Sequence, residues 1–488
     1  MKNIFFLFLL LNFTPLISQP ANDLKRDYQW LIGRYDDGDW GLVFDFNHDS
    51  LEIHEITEEP AVKIGSASIC DKNGRLVLYA YSQTIADSSH QPIVNGEGLS
   101  YYAGTGPTQL FLPVPEKDNQ VVLFRAAKRQ FDTGTWGYDK LYFNKMVKDS
   151  EGVWTVIVKD SLLLDEPYSA PYLTACRHGN GVDWWVLKPK GKGTNKYFKW
   201  LLTKQGISGT YEQEIGLEFH LGDAFSSSSV FTPDGSKYVT FSKYSGLKIF
   251  DFDRCTGELS NPVHIPVETH SFAAGSAISP NSRYLYLFTF LQVIQFDLWA
   301  TDIEASKTVV AEYDNFVNRD YRPYFLLGQL APDGKIYIRS SWGFRVIHVI
   351  EHPDSAGVAC KVVQHKHILP IYMWAMPRFP NFRLGALAGS VCDTLTAVVE
   401  EKQAEPEHLS ISPNPAVDEI YITLESQAIE SGIFKLYNNS GQLKLKIPIH
   451  KSEIRKKIDV SNFPPGLYFY KLFYEDKEMD AGKIIIGL

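Results

Sequence analysis

Few residues in this chain combine a reactive type with a spacing that chemistry could use. "HKH" sets His365 and His367 two positions apart in a strand-like run, so the alternation of a strand directs both imidazoles to one side, as a metal pair would need. Two ligands do not make a site, and no metal is assigned. "DDGD" (Asp36, Asp37, Asp39) and "DFDRCTGE" (Asp251, Asp253, Glu258) gather carboxylates. Cys255 stands where an EF-hand loop needs an oxygen ligand, so both read as solvated turn carboxylates. The run Ser226 to Ser229 reads as small residues on a crowded inner strand rather than as a nucleophile. The sequence holds no H-E-x-x-H, no G-x-S-x-G, no Walker loop and no dinucleotide fingerprint. No catalytic residue and no cofactor are therefore assigned, although sites built from single residues on separate elements leave no local motif.

A second pattern concerns binding. "DDGDWGLVF", "DTGTWGYDK" and "IRSSWGFRV" each place a Trp before a Gly between two strand-like runs, at Trp40, Trp136 and Trp342, and "KYSG" puts Tyr244 in the same setting. The glycine relaxes such a turn because it accepts positive φ without steric cost. Two readings stand: each aromatic caps its own unit against the next, or the four form a rim offered to a glycan, peptide or protein ligand.

The elements that would carry these turns follow from composition and repeats. With 26 Tyr and 30 Phe among 488 residues, the chain suits pleated, half-buried surfaces better than helices. A short apolar run, a turn such as "TPDG", "SPNS" or "APDG", and a strand rich in Tyr, Val and Ile recur, with "DKNG", "EKDNQ" and "RHGNG" extending the series backwards. Gly74, Gln120, Gly181, Gly235, Ser282 and Gly334 fall about fifty residues apart, the period of β-propeller blades. The clearest unit shows four strands, "SSSSVFT" (A), "KYVTFSK" (B), "LKIFDFD" (C) and "ELSNPVHI" (D). "WLIGRY", "LVFDF" and "LEIHEI" supply B, C and D without an A, whereas "YMWAMPRFPNF" supplies an A without a B. The two ends are expected to share one closing blade, giving about seven blades, with six or eight still open, over residues 24–395. Closure would also remove the unpaired sheet edges that invite aggregation.

The remaining features give an address. "MKNIFFLFLLLNFTPLIS" has a positive start, a short apolar run and a small residue, as in a secretory signal peptide over 1–18. No other stretch is apolar for long enough to span a bilayer, so no transmembrane segment is expected. The formal net charge of −9 disfavours nucleic acid, whose affinity comes from clustered Lys and Arg. Five scattered cysteines without C-x-x-C spacing argue against zinc, and an oxidising compartment permits one or two disulfides while leaving one thiol over. "TAVVEEKQAEPEHL" is acidic and aperiodic, a linker over 396–407. A small β unit follows over 408–488, expected to be an Ig-like sandwich.

That last unit carries a "PNP" opening (Pro413, Asn414, Pro415), an "NSGQ" turn with Gly441, a "FPPGLYFYKL" block with Gly466, Leu467 and Tyr468, and a terminal "GKIII" with Gly482 and Lys483. In this order and place they resemble the type A C-terminal sorting domain of bacterial type IX secretion cargo. The resemblance implies Sec export to the periplasm, translocation by the type IX machinery through this domain, removal of the domain, and release or attachment at the cell surface. The body is similar to uncharacterised propeller regions that accompany such domains, a likeness that brings a fold and no activity. A secreted or surface binding module is the favoured expectation. The alternative is a secreted hydrolase or lyase acting on glycan or peptide from the propeller face.

Overall fold

The computed structural model describes residues 24–34, 41–56, 67–81, 83–100, 108–130, 136–168, 173–191, 193–223, 227–269, 275–319, 321–340, 344–393, 409–424, 431–438, 442–450, 455–464, 466–474 and 477–487. The expected signal peptide and linker, Asp36, Asp37, Asp39, Trp40, Ser226, Trp342 and Gly441 lie outside them. Every described element is a strand except one short 3-10 turn, Gly357–Cys360. The chain divides into two compact units, Met1–Val398 and Val399–Leu488.

The first unit is propeller-like, a succession of antiparallel meanders. The first sheet has three strands, Ala67–Cys70, Leu76–Tyr81 and Thr84–Asp87. The second has Gln109–Pro113, Gln120–Gln130, Trp136–Lys148 and Trp154–Tyr168, and the third Thr174–Arg177, Trp184–Pro189, Lys196–Thr203 and Gly206–Glu214. Ser227–Phe231, Lys237–Ser242, Gly246–Phe252 and Leu259–Ile265 make the fourth, and Gly275–Ile278, Tyr284–Phe288, Gln292–Asp297 and Thr308–Glu312 the fifth. A composite sheet runs Leu327–Leu330, Ile336–Arg339, Phe344–Ile350, Val362–Ala375, Gln29–Arg34, Gly41–Asp45, Glu52–Ile56. Within it the long strand Val362–Ala375 pairs first with Phe344–Ile350 and then, at its end, with the start of the chain, Ala375 facing Gly33 and Met373 facing Arg34.

The turns form for a local reason. Asp71 accepts the amides of Asn73 and Arg75, Asp234 that of Ser236, Asn281 that of Arg283 and Asp333 that of Lys335. Each is an Asx turn, and the following Gly74, Gly235 and Gly334 take φ of 85°, 73° and 79°. Inner and middle strands bury both faces, as in Tyr284–Phe288, whereas the outer strand Leu259–Ile265 is exposed along its middle. The apolar side chains therefore meet between sheets. Phe124 and Trp200 share a core from the second and third sheets, Tyr197 and Phe250 from the third and fourth, and Phe241 and Leu287 from the fourth and fifth. Phe288 and Ile338 do so from the fifth and composite sheets. Tyr337 packs with Trp30 inside the composite sheet, Leu31 with Tyr79 of the first, and Leu78 with Leu123 of the second.

After the last strand, the chain from Met376 to Asp393 is an irregular strap. Phe379 packs on two different cores, Phe382 is buried against Trp184, and Leu384 joins the core of the third and fourth sheets. Asn381 donates to the Pro233 carbonyl at 2.7 Å, and the Arg383 guanidinium grips the buried Asp27 carboxylate at 2.6 and 2.8 Å. A disulfide joins Cys392 to Cys255, while Cys70, Cys176 and Cys360 are free, buried thiols. Burial pushes the Cys176 thiol up to about 12, so these three behave as small apolar side chains.

The second unit consists of two antiparallel sheets around one core. One holds Leu409–Ser412, Glu419–Leu424 and Lys456–Asp459, the other Leu443–His450, Ser431–Asn438, Gly466–Tyr474 and Lys477–Ile486. Ile420, Ile422, Phe434, Leu436, Leu472 and Ile484 form its centre.

Candidate functional site

In a meander the turns between strands B and C share a face with the connections between sheets. Tyr244 lies there, 48% exposed, in the turn between Lys237–Ser242 and Gly246–Phe252. The buried Asp223 carboxylate holds this turn, accepting the Tyr244 amide at 2.9 Å with one oxygen and the Ser245 hydroxyl with the other. Ser245 Oγ in turn accepts the His220 amide at 2.7 Å, and the His220 ring lies 5.0 Å from that of Tyr244. Trp136 begins its strand opposite Gln130, at the equivalent hairpin of the second sheet. In the fifth sheet the same position holds Phe290, at a φ of 79°, bonded through its backbone to Phe325 and stacked 4.0 Å from Tyr324. Phe290 had no Trp-Gly signature, and His220 and Asp223 belong to no motif. Only the repeat frame could have pointed to the connection that carries them.

On the opposite face, among the A–B turns, lies an axial cleft of about 230 Å³. It is small beside the roughly 300–1,000 Å³ of typical ligand sites. Thr174, Ser229, Ser276 and Gln329 line it from inner strands, and Arg378 and Phe379 from the strap. Ser228 and Ser276 place their hydroxyls 2.8 Å apart in the interior, so the serine run does supply small residues where neighbouring inner strands approach.

The other reactive-looking groups are engaged in structure. Asp253 accepts the Cys255 amide at 2.7 Å, Glu258 pairs with Lys199 at 2.7 Å, and Asp251 pairs with Lys237. The two imidazoles of "HKH" do not share a face. A bulge between the Ile347/His367 and Val349/Val363 pairs, with His365 at a φ of 43°, turns His365 towards Asp314 at 2.7 Å, whereas His367 stacks on Tyr337. Among the described residues no three His, Cys, Asp or Glu side chains gather as a metal site would require. Burial lowers the Lys188 ammonium to about 7 and that of Lys248 to about 8, but neither lines the cleft.

Burial also lowers the imidazole of His348 to about 4. Its Nε2 donates to the Pro323 carbonyl at 2.7 Å and its Nδ1 accepts the His365 amide at 3.0 Å, with Asp314 beyond. The unfolded chain thus binds a proton that the folded chain refuses. Stability from this group is complete above about 6.5 and is lost as pH falls from there towards 4, by up to about 3 kcal/mol. His348→Gln should flatten the melting temperature between those values, and an unchanged pH profile would remove His348 from that role.

The motifs of the second unit are zipped together. Asn414 donates to the Lys483 carbonyl and accepts the Ile485 amide, both at 2.9 Å, so the "PNP" opening binds the terminal "GKIII" strand. A Cβ on Gly482 would lie 2.6 Å from the Tyr470 ring, which explains the glycine. Tyr468 is buried and donates to the Pro464 carbonyl.

A propeller-like body followed by a compact two-sheet tail defines the class. Residues 410–487 match the family of secretion system C-terminal sorting domains. The chain is therefore type IX secretion cargo, and its destination is the cell surface or the extracellular space. No described helix is long and apolar enough to cross a membrane. No curated protein sequence matches the chain. Among solved structures it is similar to a Bacteroides fragilis protein provisionally described as a 6-phosphogluconolactonase (13% identity, 72% of this chain and 98% of that one, TM-score 0.40). It is similar too to a Bacteroides uniformis protein of the same provisional description (13%, 72% and 99%, 0.37). A third likeness is to Saccharomyces cerevisiae Sqt1 (9%, 96% and 100%, 0.34). Likenesses this remote carry no inference about activity.

Proposed function

We propose that this cargo is a binding module. Its body is a closed seven-bladed β-propeller spanning residues 24–395, its linker is 396–407, and its tail, 408–488, is an Ig-like sandwich that the type IX machinery reads before it is removed. Among the described residues, seven interfacial cores that link the sheets in a cycle support the blade count. The binding face is the one bearing Trp40, Trp136, Tyr244 and Trp342. The observation that carries this reading is the clamp on Tyr244. Buried Asp223 and Ser245 fix a turn whose aromatic ring is left exposed, and order given to an exposed ring serves recognition rather than packing. The test is to incubate the secreted protein with arrayed glycans and peptides and recover the probes. Retention with chemically unchanged probes supports a binding module. Cleaved probes would overturn it in favour of a hydrolase or lyase.

A further inference from the structure

The connection that enters the fourth sheet is held with unusual thoroughness for a segment whose tip is exposed. Phe219 is buried, its amide donates to the Thr194 carbonyl at 2.9 Å, and its carbonyl accepts the Gly193 amide at 2.8 Å. The buried Lys248 ammonium donates to the Leu217 carbonyl at 2.8 Å and lies 3.4 Å from the Phe219 ring centroid. The next residues, His220 to Asp223, are tied to the Tyr244 turn by the Asp223 and Ser245 bonds already described. Gly222 lets the connection lie close beneath the Tyr244 ring, where a Cβ would come 2.9 Å from it. Two chain segments remote in sequence are thus locked together, and what they present is the Tyr244 ring beside His220, with Leu221 72% exposed next to it.

The tautomer of His220 follows from one bond. Its Nδ1 accepts the Gly222 amide at 3.0 Å, so the neutral ring carries its proton on Nε2, a donor for which no partner is described. The Tyr244 hydroxyl adds a second donor at the edge of the same ring, and the Lys243 ammonium lies 5.2 Å from the ring centroid. One flat aromatic face with donors at its edge matches a ring that is apolar on its face and hydroxylated at its rim.

We propose that Tyr244 and His220 form a site for one neutral pyranose ring of a glycan, with the sugar stacked on Tyr244 and a hydroxyl accepting the His220 Nε2 proton. This rests on the reading of the protein as a binding module and adds the ligand class and the place.

The test uses the full chain on arrays of neutral glycans, acidic glycans and peptides. Retention of a neutral glycan is expected. Tyr244→Ala should weaken it by about tenfold or more with a nearly unchanged melting temperature, as expected for an exposed aromatic anchor. Tyr244→Phe, which keeps the stacking face, should stay within about threefold, and His220→Ala should weaken binding more than Tyr244→Phe does. Retention of peptides or acidic glycans alone would overturn this site while leaving a binding module. So would neutral-glycan binding that Tyr244→Ala leaves intact. If no probe of any kind is retained, the binding-module reading fails along with the site.

Discussion

A chain lacking Gln29–Asp45 is expected to lose the cooperative unfolding of the whole body rather than one blade's share of it. The first of these strands pairs with the end of Val362–Ala375 and the second with the first, and together they bury Trp30, Leu42 and Phe44 against Tyr337 and Val349 on one side, while Leu31 covers Tyr79 of the first sheet on the other. Removing them opens two apolar faces at once, and units that stabilise one another only through neighbours do not survive a gap. The strap should show the same dependence in milder form. Phe382→Ala empties a fully buried site against Trp184 and should cost about 3 to 5 kcal/mol. Arg383→Ala leaves the buried Asp27 carboxylate without its guanidinium. It should cost about 2 to 3 kcal/mol, below the usual figure for a broken buried pair because the Arg383 side chain is 32% exposed. Reduction of the disulfide, which bridges a sequence separation of 137 residues, should lower the melting temperature further. Circular dichroism melts of these forms decide the matter, and an undiminished cooperative transition in the truncated chain would show that the ring does not depend on its ends.

How much of this was legible in the sequence depends on how local the cause is. The strands read as "KYVTFSK" and "LKIFDFD" are Lys237–Ser242 and Gly246–Phe252, because alternation and an intervening turn are properties of neighbouring residues. The turn residues Asp71, Asp234, Asn281 and Asp333 were legible for the same reason, each bonding its own backbone two residues on. The strap was not. Asp27 and Arg383 are 356 positions apart, and nothing periodic marks the segment between Met376 and Asp393. "HKH" failed as a same-face pair because one bulge reverses the alternation on which that reading depends. Tyr244 could be picked out as a turn aromatic, but its clamp comes from a different connection, where Asp223 and His220 look like any polar loop residues. The sorting motifs were legible through their resemblance to a known family, and in the fold Asn414 bonds the last strand while Gly482 leaves room for the Tyr470 ring.

Chemistry on the body is thus carried by placement rather than by motif, whereas the tail states its role outright. The Asn414 bonds to Lys483 and Ile485 hold its opening against its last strand, so these motifs belong to one folded surface. A protein whose tail directs its export should be separable into a body and a part that carries it. The decisive measurement is fractionation of cells producing either the full chain or a chain that ends at Val398, the boundary between the two units. The full chain is expected on the cell surface or in the medium, with the shortened chain folded but confined to the periplasm. Arrival of the shortened chain outside the cell at the level of the parent would contradict the role assigned to the tail.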